Sequence, residues 1–157
     1  MTLKQFLGDA VRDAGKKYLD DLEAMPEEVL AKSPGGVART PLDYSYEIGL
    51  INRRIAARLR GEDPGAWPGP TEGWMVVSAE FANKAAMVDL VRSSFEEIDK
   101  AWDAFDEDEL ATVIPLPNGE TSAIDLASLA SRHAMYHDGQ LNYAQSISGD
   151  DVVHWQG

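Results

Sequence analysis

Four stretches of this chain repeat apolar residues at every third or fourth position, and proline or glycine interrupts the pattern between them. Such spacing lays an apolar stripe along one side of a helix, and a stripe must be buried against other elements. The first stretch runs from about residue 2 to 24, with Leu3, Phe6, Leu7, Ala10, Val11, Ala14, Tyr18 and Leu22 in step, and Pro26 marks its end. The second opens at Pro41, where proline's missing N–H is harmless, and stops at Gly61 after an inner stripe of Tyr44, Ile48, Ile51, Ile55 and Leu59. The third is expected over 79–104 behind a Ser78 cap, with Phe81, Ala85, Val88, Val91, Phe95, Ile98 and Trp102 facing inward. The fourth is expected over 122–147, capped by Thr121 or Ser122 and followed by Gly149.

Between these stretches there is no alternating strand pattern. Residues 33–40, 62–77 and the segment VIPLPNGETS read as loops, with a short helical turn over 106–111. Trp67 and Trp74 are expected to pin the 62–77 loop to the body, because large rings gain much by burial. The expectation is an all-α protein, a four-helix bundle forming a single domain over 1–157, with long crossover loops.

Composition narrows the function. With 27 acidic and 14 basic residues the formal charge is −13, which repels a phosphate backbone and speaks against nucleic-acid binding. There is no cysteine, hence no disulfide, thiolate ligand or cysteine nucleophile, and any thiol chemistry needs a thiol from outside. The opening residues MTLKQFLGDAVRDAG lack the apolar core of a signal peptide, and no stretch approaches the length of a membrane span. The expected location is cytoplasmic, with no membrane partner.

His133 and His137 are the sharpest chemical feature. Four residues apart on a helix, they project from one face about 6 Å apart, where two imidazoles can converge on one ion. Leu126, Ala130, Leu141 and Ala144 share that face, so the pair points toward the core. The alternative is two hydrogen-bonded core histidines. Glu47 lies beside Ile48 at the edge of the second stripe, where a carboxylate is uncommon unless it is paired or bound to metal. It reads equally as a boundary residue pairing with Arg53, Arg54 or a neighbouring helix. Asp43, one turn earlier, is a weaker candidate. Gln140 is placed to support His137 from outside a metal's ligand set or is simply polar, Asp138 is expected in solvent or at a loop cap, and Tyr136 and Tyr143 are expected to pack or, in a pocket, to offer a hydroxyl as acid or donor. His154 is expected to be exposed or packed with Trp155.

The segment HAMYHDGQLNYAQ, residues 133–145, resembles the C-terminal histidine motif of the DinB-like superfamily. PLDYSYEIGLINRRIAARLRG resembles its second helix, and the long loop ending near EGW at 72–74 and a helix after Ser78 also fit. The resemblance covers nearly the whole chain. It implies a four-helix bundle, often a homodimer, binding a divalent metal ion, commonly nickel or zinc, through one histidine of the second helix and two of the fourth. The two later ligands fall on His133 and His137. The second helix here has no histidine, and Glu47 stands about where that ligand is expected, as an acceptable oxygen donor. The resemblance further implies a metal-dependent enzyme acting on a small molecule, a thiol-dependent S-transferase or a related hydrolase or isomerase. A low-molecular-weight thiol such as bacillithiol, mycothiol or glutathione would be its co-substrate. The competing reading is a non-catalytic dimeric bundle that binds metal or a small ligand.

Overall fold

The computed structural model describes residues 1–156. Four long helices make the body: α1 (Leu3–Ala24), α3 (Pro41–Leu59), α4 (Lys84–Ala104) and α5 (Ala123–Ile147), with a single turn, α2 (Glu27–Leu30), after the first. Side chains fix where each begins. Thr2 and Gln5 form a reciprocal capping box on α1, and Thr40 and Asp43 form another on α3, where Pro41 occupies the first turn. Ser122 Oγ accepts the Asp125 N–H at the start of α5, so Ser122, not Thr121, is the cap.

Two expected boundaries move. Ser78 makes no capping bond to a long helix. It precedes a 3₁₀ turn, Ala79–Phe81, and α4 starts behind Asn83, whose Oδ1 accepts the Ala86 N–H at 3.0 Å. Phe81 still packs on the core, from the turn rather than the helix. The segment expected as a plain loop holds a small antiparallel hairpin, β1 (Ile114–Leu116) and β2 (Gly119–Thr121), closed by Pro117 and Asn118. The short 3₁₀ turn before it spans Glu107–Glu109, inside the expected 106–111.

α1 packs beside α4 and α5, and α3 packs beside the same two, so α1 lies diagonal to α3 and α4 diagonal to α5. α1 and α4 run antiparallel: Arg12 pairs with Asp99, and Glu23 with Arg92. α3 and α4 run parallel, because Gly49 abuts Leu90, Asn52 meets Ser94 and Arg53 meets Glu97. α5 starts beside Leu110, beyond the end of α4, and reaches Asp21 of α1 through Asn142, so it runs with α1. The helices are thus up, down, down and up in chain order, and the long connections carry the crossovers. Tyr18, Leu22, Ile48, Met87, Val91, Ile98 and Leu141 fill the centre.

Lysines tie the ends of the antiparallel pair. Lys4 Nζ donates to the Asp103 and Phe105 carbonyls at 2.9 and 2.7 Å, and Lys84 Nζ donates to those of Glu23 and Met25 at 2.6 and 2.8 Å. Each cation meets carbonyls at or just past a helix C-terminus that lack helical partners, at the negative end of the dipole. The 62–77 loop is not held as expected. Trp67 is 39% and Trp74 67% exposed, while Met75 is buried. Arg54 donates to the carbonyls of Pro64, Gly65 and Ala66, and Asp43 Oδ1 accepts the Val77 N–H at 2.9 Å. Among the described residues no helix is long and apolar enough to cross a membrane.

Candidate metal centre

The inward face of α5 carries His133 and His137 one turn apart, and α3 brings Glu47 to them. The two Nε2 atoms are 3.0 Å apart, and His133 Nε2 lies 3.6 Å from Glu47 Oε1. One donor atom from each of the three residues lies within 4.8 Å of the others. Zinc bonds of about 2.1 Å in a tetrahedral set put neighbouring donors about 3.4 Å apart, so these separations suit a single ion with little adjustment.

The rings are held differently. His137 is 1% exposed, and its Nδ1–H donates to Gln140 Oε1 at 2.6 Å, leaving the Nε2 lone pair aimed at the cluster. Tyr44 stacks flat on the same ring at 5.4 Å, and Tyr136 meets it edge-on at 4.9 Å. His133 has no such anchor: its Nδ1 is buried without a partner among the described residues.

Burial lowers the His137 pKa to about 4, outweighing the Gln140 bond that opposes it, so the imidazole is neutral and able to ligate at ordinary pH. Contact with His133 holds Glu47 at about 2 against the cost of burial, with help from the Arg39 guanidinium. Glu47 therefore keeps its charge. Its ion-pair partner is Arg39, reached across the loop before α3, and not Arg53 or Arg54. Arg39 also lies over the Trp74 ring at 4.7 Å.

The lesser candidates divide. Asp43 is spent on capping α3 and holding Val77. Gln140 supports His137, as expected. Tyr136 and Tyr143 do not pack into the core: they are 60% and 67% exposed and flank an open cavity. His154 is half-buried and bonded to Asp150 at 2.9 Å.

Asp138 departs most from expectation. It is 4% exposed and turned into the bundle against Asp21, which is fully buried on α1. Burial and the neighbouring Asp21 carboxyl raise Asp138 to about 7, and burial raises Asp21 as well. Two such carboxyls share one proton, and Asn142 donates to Asp21 Oδ2 at 2.7 Å. Asp21 had a signal in the sequence, since it falls three residues after Tyr18 on the buried stripe of α1. Arg39 had none, because a loop residue carries no period to read.

A helical bundle with two histidines of one helix and a carboxylate of another gathered inside it has a donor set that could hold a metal ion. The model of the DinB superfamily matches residues 10–141, and the chain belongs to that superfamily. The crystal structure of a conserved protein from Enterococcus faecalis shares the fold, with a TM-score of 0.70 over 94% of this chain and 97% of that one at 19% identity. No curated protein matches the chain.

Proposed function

We propose that the chain is a metal-dependent enzyme of the DinB superfamily, with Glu47, His133 and His137 holding one divalent ion, nickel or zinc. The observation that carries this is the convergence of two neutral-capable imidazoles and a charged carboxylate from different helices on one point inside the bundle. A nitrogen-and-oxygen donor set of this kind suits zinc or nickel rather than magnesium or calcium, which prefer oxygen alone. Glu47, His133 and His137 would hold the ion, which would supply Lewis acidity for activating a water or thiol.

The chain's own residues prepare that site. Gln140 fixes the His137 tautomer, Tyr44 and Tyr136 hold its ring, and Arg39 balances the charge of Glu47. The open cavity lies on the far side of Tyr44, Gln140 and Arg39, the residues that contact His137 and Glu47. In the absence of cysteine, a low-molecular-weight thiol would enter from outside, and thiol-dependent S-transfer is the reaction we favour over hydrolysis or isomerisation. A non-catalytic bundle that only binds metal is the second reading; the Arg39–Glu47 pair favours it, because an ion must compete with a guanidinium for that carboxylate.

We also read residues 1–157 as one domain, since the apolar core draws on all four long helices, and as a cytoplasmic homodimer. The exposed Trp67 and Val76 support a second copy as the partner of the 62–77 loop. Light scattering at micromolar concentration tests the pairing, and a monomer there overturns it.

Elemental analysis of purified protein beside His133→Ala tests the metal. Near-stoichiometric nickel or zinc, lost in the variant, is expected; an unmutated protein that takes up no ion from solution refutes the reading. Stabilisation by thiol and metal together, beyond metal alone, marks the enzyme, and stabilisation by metal alone marks the binding module.

A further inference from the structure

A cavity of about 560 Å³ opens beside the histidine cluster. Arg39, Tyr44, Trp74, Tyr136, Gln140 and Tyr143 form its chemically distinctive walls. Arg39 is the only charged residue among those lining it, although the chain as a whole carries −13. A guanidinium has five N–H donors, and only Nη1 of Arg39 is engaged, on Glu47; Nε and Nη2 donate to nothing among the described residues. Its Cζ lies 4.7 Å from the centre of the Trp74 ring and its Nη1 is held by Glu47, so the unused donors come on a positioned group and not a free surface arm. Trp74, Tyr136 and Tyr143 are largely exposed rings lining it, and the Tyr44 hydroxyl is buried with no partner among the described residues.

We infer that this cavity binds a small organic monocarboxylate with a flat apolar body, its carboxylate taken by the free donors of Arg39 and its body laid among Trp74, Tyr136 and Tyr143. One cation without a second charged group suits a carboxylate better than a phosphate, which usually gathers several. Aromatic walls favour a planar body over a sugar or a polyamine. Arg39 touches both this cavity and Glu47, so the carboxylate end of the ligand sits beside the proposed metal centre. The inference takes its catalytic meaning from that centre, but the binding itself does not depend on the ion.

The test uses the full chain, with chelator and separately with zinc, titrated with benzoate, 3-phenylpropionate and 2-naphthoate, each beside its neutral primary amide. Tryptophan fluorescence, to which Trp74 contributes the indole in the cavity wall, and calorimetry are the readouts. At least one carboxylate should bind about tenfold more tightly than its amide, the worth of a charge-assisted hydrogen bond. That preference should vanish in Arg39→Met, weaken in Arg39→Lys and persist in His133→Ala. If no carboxylate outbinds its amide, or if the preference survives Arg39→Met in folded protein, the inference is wrong. Loss in His133→Ala with retention in Arg39→Lys would make the ion the anchor and overturn it as well. Binding by chelated protein that takes up no metal would refute the metal centre alone and leave this pocket standing.

Discussion

Replacing Asp138 by asparagine should stabilise the protein at pH 8 and do so much less at pH 5. In the fold, burial and Asp21 lift the Asp138 carboxyl from 3.8 to about 7, whereas in the unfolded chain it titrates normally. A carboxyl with a raised folded pKa keeps its proton in the native state while the unfolded chain has lost it. Its contribution to stability is therefore full below the unfolded pKa and declines as pH rises toward the folded value. Three units at about 1.4 kcal/mol each set an upper limit of about 4 kcal/mol. Sharing the proton with Asp21 reduces the gain, and about 2 kcal/mol at pH 8 is the working expectation. Asparagine has nearly the same shape, offers Asp21 an N–H where the protonated carboxyl offered O–H, and never ionises. For a chain of this size the gain corresponds to a rise in Tm of about 4–8 °C. Calorimetric melts of both proteins, in chelator at pH 5 and pH 8, measure it. His137 works in the opposite direction, since its lowered pKa costs stability as pH falls below the ordinary histidine value. It does so in both proteins, so the difference between them isolates Asp138. A difference in Tm that is the same at both pH values, or a variant less stable than its parent at pH 8, would refute the shared-proton account.

Three further outcomes follow from the same geometry. Gln140→Ala removes the acceptor that orients His137 and should weaken zinc binding about 10- to 100-fold with the helical content intact, as read by chelator competition and circular dichroism. Asn83→Ala removes the α4 cap and should cost about 1 kcal/mol, a fall in denaturant midpoint at constant slope, whereas Ser78→Ala should cost much less. Leu141→Ala opens a cavity at a fully buried position one turn from His137 and should cost about 2–5 kcal/mol in equilibrium unfolding; a loss below 1 kcal/mol would mean the site is loosely packed.

The bundle was legible because its information is local. Apolar period, the Ser122 cap, the Pro41 start and the Pro26 and Gly61 stops place α1, α3 and α5 within a residue or so. The start of α4 was not, because Ser78 and Asn83 are both plausible caps by residue type, and Phe81 packs inward from either conformation. The hairpin is only three residues a side, too short for an alternating pattern to show, though Asn118-Gly119 is a turn signal. The histidine pair was legible from spacing alone. Its partners were not equally so. Asp138 sits between α5 and α1, and a stripe drawn through His133, His137 and Leu141 alone excludes it; the buried arc of α5 is wider, because the helix packs on both α1 and α3. Arg39 meets Glu47 only once a loop has folded over the end of α3, which no periodicity encodes. The tryptophans were misplaced because ring size argues for burial, whereas the backbone carbonyls taken by Arg54 already secure the loop.

The reciprocal lysine ties between α1 and α4 set a ruler on the bundle. Each amine reads the final carbonyls of the opposite helix, so the sliding of one rod along the other is stopped in both directions, independently of the connecting segments. The two helices are separated by the whole of α3 and its crossovers, and those connections can lengthen or shorten without changing which residues face each other across the α1–α4 seam. Stretches joining the helices are thereby free to diversify around the mouth of the cavity, while the frame that aligns the histidine helix stays in register.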